Sequence, residues 1–335
     1  MVQGHRRPTL ETVAERAGVS RATVSRVVNE QPSTPESRRA VEAAISELGY
    51  VPNLAARTLV TQRTGLIALV LPESSTRVFS EDQFFSQLIQ GISQELDEAD
   101  RQLVLMLAGS VESRQRIEHS AQARHVDGVM LASLHGTNPL TAALVRSKIP
   151  VVSNERALGP VEVPHVDVDN HGGARAAVEH LIAAGRGRIA SITGPPDMIA
   201  GIDRRQGYRD ALGEAGMALV EATGDFTRSS GADAMSRLLA ETPDIDAVFV
   251  ASDLMADGAL RTLQREGVRV PDDIAVIGFD DIELARQTDP PMTTVRQPIT
   301  GIGRSMAGQL LRAIDGQQIE PAITLPTELV LRASG

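Results

Sequence analysis

The chain predicts an N-terminal all-α helix-turn-helix headpiece followed by an α/β core of two doubly wound lobes. Three observations carry that reading. Residues 10–48 hold three short amphipathic helical patterns, the first two joined by a very tight turn. From residue 66 onward, apolar runs of strand length alternate with helical patterns, which implies parallel sheets with crossover helices. Residues 66–335 are too many for one such sheet, so they divide into two lobes.

Composition sets the outer limits. Of the 335 residues, 42% are apolar and 23% charged, ordinary values for a folded globular protein. No apolar run reaches the roughly 18 residues of a membrane span. The basic N-terminus lacks the apolar stretch of a secretory signal. These features predict a cytoplasmic protein. Cysteine is absent, which excludes disulfides, thiolate metal sites and cysteine nucleophiles. The net charge of −10 is unevenly spread. Residues 1–63 contain nine arginines and six glutamates, a net of +3, so the remainder carries −13. A basic head on an acidic body suits a nucleic-acid-binding head joined to a domain with another task.

Leu10, Val13, Ala14 and Ala17 fall on one face of a first helix. Thr9 can cap its start, and Gly18 supplies the left-handed residue that ends it. Ser20 then caps a second helix. There Thr23, Val24, Val27 and Val28 share one face, and Arg21, Ala22, Ser25, Arg26 and Asn29 the opposite one. A third helix opens with Thr34-Pro35 and buries Val41, Ala44, Ile45 and Leu48. The arrangement reads as a helix-turn-helix. The open face of the second helix is slim enough to enter a major groove. Arg26 can span the O6 and N7 acceptors of a guanine, and Ala22 can meet a thymine methyl. Arg21 sits at the helix N-terminus, where base edges are read. Thr23, Ser25 and Asn29 suit phosphates. Thr9 and Ser20, at the two helix starts, complete the predicted DNA-contacting set of this unit.

The headpiece is assigned to residues 1–52 and a hinge to residues 53–65. Asn53 can cap a brief helix from Leu54 to Leu59. It is under two turns long, too short to be stable alone in water, and is expected to fold on binding. Ala55 and Ala56 would let two such helices approach closely, with Arg57 near phosphates.

The core covers residues 66–335. Its strand candidates are Leu66–Leu71, Gln102–Leu107, Gly128–Leu131, Val151–Ser153, Arg188–Thr193, Ala247–Val250 and Ile274–Phe279. Helical patterns such as Phe84–Ala99, Gly173–Ala184 and Met255–Glu266 lie between them. The chain is expected to cross between lobes near 165 and again near 285–297. Ligands of open α/β sheets sit beyond the carboxyl ends of strands. The candidate cleft residues are therefore Glu73–Phe85, Glu155-Arg156, Asp169-Asn170, Gly194–Arg204, Phe226, Ser252-Asp253 and Asp280-Asp281. Carboxylates accept hydroxyl protons, arginine donates back, and an aromatic face covers the apolar side of a sugar ring. A polyol or sugar is the natural guest.

Catalytic signals are missing. The seven histidines show no zinc spacing, and no nucleophile elbow or phosphate-binding loop occurs. "GIGRSMAG" at 301–308 has the wrong glycine spacing for a dinucleotide loop. The chain is thus expected to be no enzyme and to need no cofactor or metal.

"TLETVAERAGVSRATVSRVVN", "ELGYVPNLAARTL" and "GLIALVLP" together resemble the lactose/galactose repressor (LacI/GalR) family of bacterial transcription regulators. The resemblance spans nearly the whole chain. It implies a homodimeric repressor that reads a pseudo-palindromic operator in double-stranded DNA. It also implies a periplasmic-binding-protein-like core that takes a small-molecule effector, here a sugar. By this resemblance Leu59 is the residue wedged into the minor groove at the operator centre, where it kinks the duplex. "TGPPDMIAGIDRRQGYRDAL" places an effector contact on Arg204, with Arg205 the adjacent competitor. "VIGFDD" places one on Asp280, "FVASDLMADGAL" places Ser252 and Asp253 in the cleft, and "GDFTRSSG" makes Phe226 an aromatic contact. Phe84 and Phe85 match first-lobe cleft positions. One departure stands out: where many relatives read Gly-Arg-Pro, this chain has Asn154-Glu155-Arg156-Ala157, so Glu155 and Arg156 are expected to tune selectivity. Activation, dependence on a co-regulator, a head that docks a protein, and a sugar-processing enzyme with a regulatory head are the alternatives. Effector identity and sign, the operator, and dimer versus tetramer stay open at this level.

Overall fold

The computed structural model describes residues 8–29, 31–51 and 63–335. The hinge residues Asn53, Ala56, Arg57 and Leu59, predicted to touch DNA, lie outside the described residues. The chain divides into two compact units, Met1–Thr64 and Gly65–Gly335.

The first unit contains helices α1 (Leu10–Ala17), α2 (Arg21–Val28) and α3 (Pro35–Leu48). Each begins at a hydroxyl cap. Thr9 accepts the Thr12 N–H, Ser20 that of Thr23, and Thr34 that of Ser37, so orphan donors at each start are satisfied. Gly18 adopts φ +67°, a left-handed value that allows α1 to end within one residue of the α2 cap. Val13, Ala14, Val24, Val27, Val41 and Ala44 form the core, which Tyr50 closes.

The second unit holds two six-stranded sheets. The first contains β1 (Leu66–Leu71), β2 (Gln102–Leu107), β3 (Gly128–Leu131), β4 (Val151–Ser153), β5 (His165–Val168) and, arriving late in the chain, β11 (Ala322–Leu325). Its order is β11-β5-β4-β3-β1-β2, every pair parallel. The second contains β6 (Ile189–Thr193), β7 (Val220–Thr223), β8 (Ala247–Val250), β9 (Ala275–Asp280), β10 (Thr293–Arg296) and β12 (Glu328–Val330). Its order is β12-β10-β9-β8-β6-β7, with β12 the one antiparallel member. In both lobes the first strand lies between the second and third. That reversal opens a crevice at the strands' carboxyl ends.

Helices cover both faces of each sheet, which explains why the inner strands are apolar on both sides. In β1, Ile67, Leu69 and Leu71 face α4 (Gln83–Glu98) and α12 (Ile299–Ile314), while Ala68 and Val70 face α5 (Val111–Gln122) and α6 (Pro139–Arg146). In the second lobe α7 (Asn170–Ala183) and α8 (Ile199–Glu214) cover one face, α9 (Arg228–Glu241) and α10 (Asp253–Arg265) the other. A short α11 (Leu284–Gln287) follows β9.

The chain passes between sheets three times: at Asp169, at Gln297-Pro298, and at Pro326-Thr327. In the segment 165–170, expected to cross, β5 takes up His165–Val168 and the passage falls at Asp169; in the stretch 285–297, α11 and β10 precede the passage at Gln297-Pro298. Strands β5, β7, β10, β11 and β12 escape the sequence reading because each is three or four residues long and interrupted by polar side chains.

Helices α4 and α12 meet almost backbone to backbone. A Cβ on Gly91 would lie 2.1 Å from the Thr300 carbonyl oxygen, and one on Gly303 would lie 2.4 Å from that of Leu88. This contact fixes the end of α4 that carries Phe84 and Phe85. Gly91→Ala is expected to destabilise the core by about 1–3 kcal/mol, read as a lowered thermal midpoint. An unchanged midpoint would mean that the two helices part without cost.

Candidate functional site

On the headpiece, Arg21, Ala22 and Arg26 are exposed on α2, and Val24 and Val27 on its other side are buried. Arg21 is held 3.0 Å from Glu11 of α1. Arg26 makes no ion pair among the described residues. The other predicted contacts have local roles as well. Thr9 and Ser20 are helix caps, and Thr23 Oγ1 lies 2.9 Å from Ser20 Oγ. Asn29 ends α2 and donates from Nδ2 to the Ser25 carbonyl at 2.8 Å.

In the core a cavity lies between the lobes, with about 600 Å³ of space among its atoms, counting the part open to solvent. Seven predicted residues line it: Phe84, Phe85, Glu155, Arg204, Phe226, Ser252 and Asp280. All come from carboxyl ends of strands or the helix starts that follow, so both crevices feed one space. Three lining residues, Ser133 (φ +58°), Phe226 (φ +65°) and Asp280 (φ +127°), have left-handed backbone without being glycine. Such strain persists where surrounding structure over-determines it, and it collects at ligand sites.

Arg204 is the hub. It is 4% exposed. Its Nε donates to Asn170 Oδ1 (2.8 Å), and its Nη1 donates to the Ala251 carbonyl (2.7 Å) and to Asp280 Oδ1 (3.3 Å). The guanidinium carbon lies 3.7 Å from the Phe279 ring centre and 5.9 Å from that of Phe226. Asp280 also accepts from Gln297 Nε2 at 2.6 Å. Burial pushes the Asp280 carboxyl up to about 7, and burial beside Asp280 raises Asp253 well above the ordinary carboxyl value.

Glu155, expected to tune selectivity, is buried and accepts the Leu134 N–H at 3.0 Å. The Ala200 N–H, in the first turn of α8 on the opposite lobe, also favours its charged form, against burial. The N-cap position of α8, Met198, makes no side-chain hydrogen bond, and Glu155 and Ala200 share the cavity wall beside it. Burial raises Glu155 to about 7. Asp82 and Asp167 also line the cavity, and burial raises them as well.

Two predicted residues turn elsewhere. Arg156 points outward and clasps Asp203 of α8 through two bonds of 2.6 and 2.7 Å, tying lobe to lobe at the rim. Asp253 is not in the wall. As first residue of α10 its carboxyl points back into the protein, accepting the Thr294 hydroxyl at 2.5 Å and the Ile282 N–H at 3.0 Å. The competitor Arg205 is bound to Glu221 on the lobe surface. The wall also contains Arg77, Ser133, Asn154, Asp167, Asn170 and Gln297. Arg77 and Asn170 fall in segments flagged by their place after strands. Gln297 follows β10, which gives no sequence signal. Among the described residues no helix is long and apolar enough to cross a membrane, and no acid–histidine group is set to hold a metal.

Comparisons with known proteins agree with this geometry. Residues 9–53 match the family described as bacterial regulatory proteins, lacI family, and residues 178–335 match a periplasmic binding protein-like domain. The chain is 48% identical over 341 aligned residues to the HTH-type transcriptional regulator CelR of Thermobifida fusca, covering all of both proteins. Among solved structures it is similar to a transcriptional regulator CelR–cellobiose complex, with 46% identity, TM-score 0.79, and coverage of 98% of this chain and 100% of that one. It is also similar to the lac repressor dimer bound to operator and the anti-inducer ONPF, with 30% identity, TM-score 0.82, and coverage of 98% and 99%.

Glu155 carries a pH dependence. Its folded value near 7 exceeds the ordinary 4.5, so the folded chain holds a proton that the unfolded chain has lost between those values. Its contribution to stability is intact below pH 4.5 and is lost as pH rises through 7. Glu155→Gln, which keeps an acceptor for Leu134, is expected to raise the thermal midpoint at pH 8 by a shift worth up to about 3 kcal/mol and to change it little at pH 4.5. An equal effect at both would refute a buried, proton-holding carboxyl.

Proposed function

From a chain that belongs to the lacI family of bacterial regulatory proteins, we propose a repressor that binds its operator as a homodimer and is released by an uncharged disaccharide of the cellobiose type. The observation that carries the sugar is the cavity wall. Four carboxyl side chains (Asp82, Glu155, Asp167 and Asp280) meet two guanidiniums, Arg77 and Arg204, and the rings of Phe84 and Phe226. An excess of acids repels phosphates and other anions. It offers acceptors and, where protonated, donors to a hydroxyl-rich neutral ring, and the phenylalanines cover its apolar faces. The similarity to CelR, including its complex with cellobiose, supports the glucose disaccharide over other neutral sugars.

The sugar is bound and not transformed. Asp253 lies outside the wall with its carboxyl held by Thr294 and Ile282, and Asp280 accepts from Arg204 and Gln297, so the two are not placed as nucleophile and acid to a sugar. A homodimer with two-fold symmetry presents two α2 helices to two half-sites of a pseudo-palindrome in the cytoplasm. Ligand shifts DNA affinity only by its preference for one lobe geometry over another, typically about 1–3 kcal/mol.

Fluorescence anisotropy on a labelled operator tests this. Cellobiose is expected to release the protein and sugar phosphates to leave it bound; indifference to cellobiose and to every other neutral sugar would refute the reading. Arg26→Ala should lose about 1–3 kcal/mol of operator preference while weak, salt-sensitive binding persists. Undiminished preference would remove α2 as the base-reading element.

A further inference from the structure

Resting on the sugar reading above, we propose that Arg77 and Asp82 form a second hydroxyl-recognition pair, contributed by the first lobe and matching Arg204 and Asp280 of the second. A single sugar hydroxyl would bridge Arg77 and Asp82.

The pair is made by an unusual piece of backbone. Residues Arg77–Glu81 form a π-helical turn, closed by the Asp82 N–H donating to the Arg77 carbonyl at 3.1 Å. In an α-helix, residues five apart point well away from each other. The wider π turn returns residue i+5 to the face of residue i, and such turns occur often at functional sites. Here it sets both side chains into the cavity wall, 13% and 12% exposed.

Each partner is fixed on one side. Arg77 Nη1 donates to Glu73 Oε1 at 3.0 Å, and that oxygen is itself held by the Ser133 hydroxyl at 2.5 Å. The Phe85 ring centre lies 5.9 Å from the guanidinium carbon. Asp82 Oδ1 caps α4 by accepting the Phe84 N–H at 3.0 Å. What remains is Arg77 Nη2 facing Asp82 Oδ2 at 4.0 Å. That is too long for a hydrogen bond. It is the span that one hydroxyl oxygen, about 2.8 Å from each, closes by accepting from the guanidinium and donating to the carboxylate. Arg77 Nε is in addition buried with no acceptor among the described residues, an unusual state for an arginine whose only duty is to neutralise Glu73. The lobe-2 pair, Arg204 Nη1 to Asp280 Oδ1, stands at 3.3 Å. A ligand with hydroxyls at both ends engages one pair per lobe and draws the lobes together.

Calorimetric titration of the full-length protein with cellobiose and its singly deoxygenated analogues tests the pair. Asp82→Asn keeps the cap on α4, and Arg77→Met keeps the stem; thermal midpoints report folding. Each is expected to weaken cellobiose binding tenfold or more. One analogue should lose tenfold on wild-type protein and less than twofold on Arg77→Met, because its missing hydroxyl is the one the pair holds. Variants that bind cellobiose within twofold of wild type, or that weaken every analogue by one common factor, would overturn this proposal alone. Wild-type protein that binds neither cellobiose nor any other neutral disaccharide would overturn the sugar reading and this proposal with it.

Discussion

A single buried guanidinium makes the acidic cleft possible. Taking a cation out of water costs several kcal/mol, and each carboxyl drawn in beside it adds a penalty of its own. Arg204 meets that cost with three hydrogen bonds, a ring beneath it at 3.7 Å and the field of Asp280. Its charge in turn lowers the penalty on Asp82, Glu155, Asp167 and Asp280. Without it the four carboxyls of the wall would face Arg77 as their one remaining guanidinium in a place of low dielectric.

The same helix joins chemistry to closure. Arg204 lies in the second turn of α8, whose first turn meets Glu155 and whose outer face meets Arg156 through Asp203. Nearby, His135 of the first lobe lies 3.2 Å from Asp197, just ahead of α8, and the Gly136 N–H donates to the Asp197 carbonyl at 2.7 Å. The first lobe thus grips the second at the N-terminal end of one helix. A ligand that changes the balance of charge around Arg204 acts directly on the element that holds the lobes together, which is what a two-state clamp requires.

Much of this was legible in the sequence, and the gaps have physical causes. Long apolar runs such as Leu66–Leu71 announce themselves because both faces of an inner parallel strand are buried. His-Val-Asp-Val and Thr-Thr-Val-Arg do not, so Asp167 and Gln297 had no strand end to mark them. The strand-end rule also works by segment and not by side chain. It named Glu155-Arg156 and Ser252-Asp253 as pairs, whereas in each the backbone sends one member into the cavity and the other away. The π turn that pairs Arg77 with Asp82 follows no hydrophobic period. The hinge, whose pattern is among the most specific in the sequence, lies outside the described residues.

The central claim is that the Arg204 charge is what lets the carboxyls share the cleft. The most direct check is the thermal stability of Arg204→Met measured from pH 5 to pH 8. The account expects a loss much larger at pH 8, where Glu155 and Asp280 must ionise without a partner, than at pH 5, where burial, which raises both to about 7, keeps them protonated. A loss of the same size across that range would contradict it, since Arg204 would then be only a packing residue.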